Sequence, residues 1–437
     1  MKKNILLLSV LCAVHLSAAI EFPLCPIKNI PLKPGYIALH HPVSTTNPAA
    51  QLYFDQGLTM MYAFNHDAAY CSFQQAAEQD PNLAMAYWGM AIALGQNINF
   101  DITDPREKTA YNLVRRALEL SKNATEAEKD YVRALSARYS DNPKPNLKQL
   151  AIDYNKAMKA LAQKYPDDPD AVVLYAESGL DLNPWNQWTS EGKPIDPLTM
   201  EIVTALEGVL KRNPMHLGAN HLYIHAIEPS SFPEKALVSA MRLEKLLPSS
   251  GHILHMPSHI YLLVGDYHKA AQANELAVAA DRDYIREFGL VGIYPVHYLS
   301  HNLYFLSRAY SMEGRFQNAL LASKELENLY RPHFKAMPEL EYYAPTSMFV
   351  LMRFHQWEDI LKLPAPEPGM YATIALWHFA RGMAYAALNQ PAKAEEEKKA
   401  FLEGKGKLPP EMVYGYNKVA PIMQIAENLL NGRIADQ

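Results

Sequence analysis

Residues 53–81 read YFDQGLTMMYAFNHDAAYCSFQQAAEQDP. Tyr53, Gly57 and Met60 lie at helical spacing before the turn Phe64-Asn65-His66, and Ala69, Phe73 and Ala76 follow at the same spacing after it, with Pro81 at the next boundary. Apolar residues at i, i+3, i+4 and i+7 line one face of a helix. The stretch therefore predicts two short helices joined by a tight turn, with a small residue, Gly57, where they touch. The same frame fits around Gly265-Asp266-Tyr267, with Leu254, Ser258, Tyr261 and Ala270. It fits again around Gly314-Arg315-Phe316, with Leu303, Ser307, Tyr310 and Ala319, and more weakly at Gly382, Tyr385 and Ala394.

These positions follow the tetratricopeptide-repeat (TPR) pattern, a helix pair about every 34 residues. Such pairs stack into a right-handed superhelix whose first helices line the concave surface. The expected fold is all-α: a TPR-like helix-pair solenoid over 49–437, preceded by an extended lead-in over 20–48 that carries Pro23, Pro26, Pro31, Pro34 and Pro42. Gly265 and Gly314 stand 49 residues apart, fifteen more than one period. A lengthened second helix and a loop near Gly289–Tyr294 are the expected place for the excess. Between about 100 and 212 the helices are clear and the repeat frame is not.

The chain begins with Lys2 and Lys3, an apolar stretch from Ile5 to Leu16, and Ser17-Ala18-Ala19. That is the layout of a cleaved secretory signal over residues 1–19, too short for a membrane span. A periplasmic or secreted product without a membrane span is expected. The net charge of -5 and the absence of any Lys/Arg run argue against a nucleic-acid partner. Past the signal only Cys25 and Cys71 remain. In an oxidising compartment they either pair, or Cys71 is a buried thiol and Cys25 a loose one.

Histidine is concentrated. Nine of the sixteen histidines fall between residues 216 and 301, about three times what even spreading gives. They include three i, i+4 pairs, His221/His225, His255/His259 and His297/His301, and His252 stands three residues before His255. This spacing stacks side chains on one helix face. A lone HxxxH is common by chance and is more often packing or surface than a ligand pair. Here, however, His221 to His255 and His225 to His259 are both 34 residues, one repeat. The two pairs should lie side by side on successive first helices, within reach of a shared ion. In the frame of Gly265 the core positions are Leu254, Pro257, Ser258 and Tyr261. His252, His255 and His259 then fall on the concave face.

The expected metal ligands are His221, His225, His255, His259, His301, His252 and His297, with Glu228 as an oxygen ligand or base. Six or seven histidines also suffice for two ions. Imidazole donors with few carboxylates suit zinc or copper rather than calcium or magnesium. Asn220 and Asn302 adjoin ligands and are candidates to orient them. Met256 offers a thioether but more often such a residue packs, and His66 reads as structural. The loops 95–99 and 181–188 are either groove contacts or helix-end anchors. No metalloprotease HExxH, phosphate loop or serine elbow is present, and no catalytic residue is assigned.

The string Phe64-Asn65-His66…Phe73…Ala76-Ala77…Asp80-Pro81…Ala84-Met85-Ala86-Tyr87-Trp88-Gly89 resembles a group of exported bacterial TPR proteins. So do Asn220-His221-Leu222-Tyr223-Ile224-His225 and His252-Ile253-Leu254-His255-Met256-Pro257-Ser258-His259-Ile260-Tyr261. The resemblance covers most of the chain. It implies the fold and export, and names no reaction. Ile224 stands where the repeat pattern usually has a small residue. Two functions follow from these readings: a metalloprotein, whether enzyme or metal handler, or a scaffold that binds a protein or peptide partner in its concave groove.

Overall fold

The structure is a computed structural model that describes residues 24–99, 104–290, 294–415 and 417–436. The leader expected over 1–19 lies outside them. The described residues form α-helices in consecutive pairs, with a single two-residue hairpin, Val413–Tyr414 with Asn417–Lys418. The fold is an all-α, TPR-like helical repeat. Each helix packs on its partner in the pair and on the pair that follows. No helix among the described residues is long and apolar enough to cross a membrane.

The first pair shows why the sequence folds this way. Helix Pro48–Tyr62 starts with Asn47, whose side chain accepts from the Ala49 N–H, and with Pro48 in the first turn, where no N–H is needed. Helix His66–Gln79 packs back on it. The fully buried Phe73 ring lies between Gly57 and Gly89: a methyl on Gly57 would sit 2.7 Å from that ring, and one on Gly89 closer still. Gly57 and Gly89 therefore let one aromatic join three successive helices.

The turns between paired helices also share a conformation. Gly265 and Gly314 take left-handed backbone, with φ of 84° and 80°. Phe64, His355 and Asn389 take it at the corresponding turns without being glycine. Residues 104–212, where the sequence shows no repeat frame, also form helix pairs, including Glu126–Ser136 with Leu147–Lys164 and Pro169–Leu180 with Pro197–Arg212. The residues that lengthen the repeat after Gly265 form a 22-residue helix, Tyr267–Phe288, capped by Gly289, and a π-helical segment, Tyr294–Leu299.

The solenoid closes on itself. Gly218, in helix Leu217–Ile227, meets the ring of Tyr62 from the first pair, and a methyl there would stand 2.5 Å from it. The Tyr62 hydroxyl donates to Asp170 at 2.7 Å. The lead-in is ordered against this closure. Gln56 hydrogen-bonds Pro31 and Lys33, the Ser44 N–H donates to Glu128, His41 meets Asp170 at 2.7 Å, and Ser249 donates to Gly35. Cys25 and Cys71 form a disulfide that ties the lead-in to the second helix. A C-terminal core around Leu376, Phe401 and Met423 covers the far end.

Gly89→Ala should destabilise the protein by about 1–3 kcal/mol, the usual cost of overpacking. Gly265→Ala, where nothing lies near the new methyl, should cost about 1 kcal/mol from its left-handed backbone alone. Thermal melts of the two variants rank these effects, and an equal or smaller loss for Gly89→Ala contradicts the Phe73 packing.

Candidate metal centre

Six histidines converge in two groups of three. His221, His225 and His252 form one, and His255, His259 and His301 form the other; within each group the available ring nitrogens lie within 4.8 Å of one another. In the first group the Nε2 atoms of His221 and His225 are 3.2 Å apart, and those of His252 and His221 3.1 Å. In the second, the Nε2 atoms of His255 and His259 are 2.8 Å apart, and His301 stacks edge-on to His255 with ring centres 4.6 Å apart.

Each group draws an i, i+4 pair from one repeat and a third histidine from the next. His221 and His225 sit on helix Leu217–Ile227. His255 ends helix Gly251–His255 and His259 lies in Pro257–Val264, a break that follows from the missing N–H of Pro257. Met256 keeps right-handed helical backbone between them, so the pair stays on one face. His252 and His301 are 49 residues apart, the distance between Gly265 and Gly314. The second group is thus the first, displaced by one repeat.

The hydrogen bonds behind the rings decide where the protons are. His221 Nδ1 lies 2.6 Å from the Tyr62 carbonyl, and His225 Nδ1 lies 2.9 Å from Glu228 Oε1. His259 Nδ1 lies 2.5 Å from Glu228 Oε2. His255 Nδ1 lies 2.7 Å from Asn274 Oδ1, whose amide donates to Ala270. Each partner accepts, so each of these Nδ1 atoms carries the proton. The four Nε2 atoms are then bare lone pairs, and they face each other in twos.

Burial keeps most of these rings uncharged. His221, His225, His252 and His255 all titrate below the ordinary histidine value, and His301 is lowered to about 3; desolvation is the main cause, and the neighbouring imidazoles add to it. Glu228 behaves oppositely. Burial alone would raise it, but the flanking His259 and His225 hold it below the usual carboxylate range. An ionised carboxylate behind two imidazole N–H groups orients the rings and makes their far nitrogens better donors.

Aromatic rings wall each group. Phe64 lies 4.4, 5.8 and 5.4 Å from the rings of His221, His225 and His252. Phe305 lies 4.7 Å from each of His255, His259 and His301. Trp185 meets His225 edge-on, and Tyr298 does the same to His252 while its hydroxyl donates to the Phe64 carbonyl. Phe64 occupies the left-handed turn position that Gly265 and Gly314 fill elsewhere. Asp281 anchors the third histidine of both groups. It accepts from Asn302, next to His301, and from Tyr294, and it packs against Gly251, next to His252. Burial raises it to about 7.

Several expectations change. The histidines do not line an open concave face: His221 and His255 are fully buried, and His259 is 7 % exposed. Closure of the solenoid through Tyr62, Phe64 and Gly218 covers that face. The pairs His221/His225 and His255/His259 belong to separate groups rather than to one shared ion site. His297 belongs to neither group. It lies in the π-helical segment, where residues four apart no longer stack, and His301 starts from the following α-helix. Glu228 stands behind the rings, on their Nδ1 side. The side-chain amide of Asn220 donates to the Pro214 and His216 carbonyls and that of Asn302 to Asp281. His66, between the Ala93 carbonyl and Asn97, is structural. Trp188 anchors its loop on the Ala226 carbonyl.

Sequence reading missed Phe64, Phe305, Asn274, Asp281 and the Tyr62 carbonyl. Phe64 alone carried a signal, a bulky residue at a turn where the repeat elsewhere has glycine.

No family model matches the chain, and neither does any curated protein. Among solved structures, a human IFIT1 dimer with m7Gppp-AAAA is similar at 13 % identity and a TM-score of 0.41, covering 90 % of this chain and 82 % of that one. Yeast Tom70 is similar at 9 % identity and a TM-score of 0.34, covering 90 % and 93 %. A monomeric mutant of IFIT1 with Gppp-AAAA gives 13 % identity and 0.39, covering 82 % and 78 %.

Two measurements follow. Unfolding exposes these histidines, which then protonate near pH 6.5. Below that pH the unfolded state binds more protons, so the stability of the metal-free protein falls as pH falls. Melts of chelator-treated protein should drop from pH 6.5 to 5, and His221→Gln with His255→Gln should flatten the slope; a flat wild-type profile contradicts it. Phe64→Gly and Phe64→Ala both lose the ring, but Gly restores a relaxed turn and should be about 1 kcal/mol the more stable.

Proposed function

We propose that this protein is an exported helical-repeat metalloprotein that holds two transition-metal ions, zinc or copper, one in each histidine triad. The observation that carries the reading is the set of facing lone pairs. As uncharged rings with their protons on Nδ1, His221 and His225 oppose Nε2 lone pairs 3.2 Å apart, and His255 and His259 do so 2.8 Å apart. A cation bound about 2.0 Å from each nitrogen removes that opposition. Three protein ligands leave a fourth position open, the arrangement of sites that bind a further ligand rather than purely structural ones.

The ligand chemistry agrees. The six donors are imidazoles, which suit zinc and copper over the hard cations that seek oxygen. The Cys25–Cys71 disulfide and the signal-like sequence of residues 1–19 support a periplasmic or secreted location, where disulfides persist. The alternative, a scaffold for a protein or peptide, gains no support from the histidines, because burial removes them from any groove surface.

Metal analysis of gently purified protein should give two equivalents of zinc or copper per chain. His255→Ala with His259→Ala should leave one, and His221→Ala with His225→Ala the other. Glu228→Gln cannot accept from both Nδ1 atoms and should weaken binding by about 10–100-fold. Wild-type protein that neither carries metal nor takes up either ion after dialysis refutes the reading.

A further inference from the structure

The two triads are close enough to act as one centre. Ring centres of His225 and His259 are 5.7 Å apart and those of His252 and His255 6.1 Å, across the boundary between groups. Within the groups the same measure runs from 4.6 Å for His255 and His301 to 6.4 Å for His225 and His252. The boundary is no wider than the groups themselves. Glu228 spans it, with one oxygen on His225 and the other on His259. Two ions held here are neighbours with adjacent open positions, the geometry in which a single small ligand bridges two metals.

Charge selects the ions and the ligand. Among the described residues, Glu228 is the one carboxylate hydrogen-bonded to these imidazoles. Two divalent ions would bring four positive charges against that one, in a site where four of the six histidines are under 5 % exposed. Uncompensated buried charge is costly. Two monovalent copper ions bring only two. We infer that the resting centre is a pair of Cu(I) ions, and that its ligand is dioxygen, bound between them. This rests on the two-ion reading above.

The chemistry balances without further reagents. Each Cu(I) gives one electron to dioxygen; the O–O π bond is reduced and the product is a peroxide dianion bridging two Cu(II) ions. The total charge of metals plus ligand is two positive before and two positive after. No proton or counter-ion has to enter the buried site. The ligand itself is small and apolar and suits a lining of Phe64, Phe305 and Trp185. His301, Phe305 and Trp185 are only partly buried, so the lining is not sealed from solvent.

The test uses the full chain, loaded with two equivalents of Cu(I) under nitrogen and then opened to dioxygen. One dioxygen should be consumed per chain, with an intense near-ultraviolet absorption and no Cu(II) paramagnetic resonance signal, because the two spins pair through the bridge. His259→Ala, which should keep one copper, should consume none by this route. If two coppers are retained but no dioxygen is taken up, or the resonance of two isolated Cu(II) ions appears, the inference is overturned and the two-ion site stands. Retention of two zinc ions with refusal of copper likewise overturns the inference and leaves the two-ion site standing. Retention of neither metal overturns the site reading itself.

Discussion

One carboxylate organises the centre. Glu228 accepts from His225 and His259, and so fixes the tautomer of one ring in each triad from a position between two repeats. Its burial would be costly alone, and the two N–H donors offset that cost. The consequence reaches outward. With those protons committed to Nδ1, the Nε2 atoms have no choice but to present lone pairs. Tyr62 and Asn274 do the same to His221 and His255. On the proposed metal reading, the inner faces of these rings are set as donors in advance.

The repeat supplies the rest. A solenoid places equivalent residues of successive helix pairs side by side. A histidine pair copied at 34 residues therefore becomes two pairs at neighbouring helices, and a third histidine copied at 49 completes both sets. The departure from 34 is itself structural: the 22-residue helix and the π-helical segment lengthen the path yet return His301 to the position His252 holds one repeat earlier. Asp281, on that long helix, is held against both Gly251 and Asn302 and keeps His252 and His301 in step.

Much of this was legible and some was not, for physical reasons. The helix pairs show in the spacing of Gly57, Phe73, Gly265 and Gly314 because core packing has a helical period. The pairs His221/His225 and His255/His259 show because 34 residues is a repeat. Burial of these histidines did not show. For the first triad it comes from Tyr62 and Phe64, more than 150 residues away in sequence, and helical periodicity reports faces and not what later covers them. His297 misled because i, i+4 spacing was read as α-helical, and the local winding is π. His301, where regular helix begins, lies beside His255 and His259. Glu228 was visible as a neighbour of His225, but only the structure shows it facing Nδ1 rather than an ion.

The same features make the metal-free chain a stressed one. Six imidazoles under aromatic walls, most held uncharged by desolvation, with lone pairs opposed and Phe64 in a backbone conformation that favours glycine, each raise the energy of the folded state. Such costs persist only where the surrounding structure imposes them, and here the closure of the solenoid does so. A ligand that binds the folded state alone stabilises it by mass action. An ion that turns opposed lone pairs into bonds does so at the point where the fold is least content without it. On the two-ion reading, stability and occupancy of the centre are one equilibrium, and the repeats that build the site are also what the ions would hold closed.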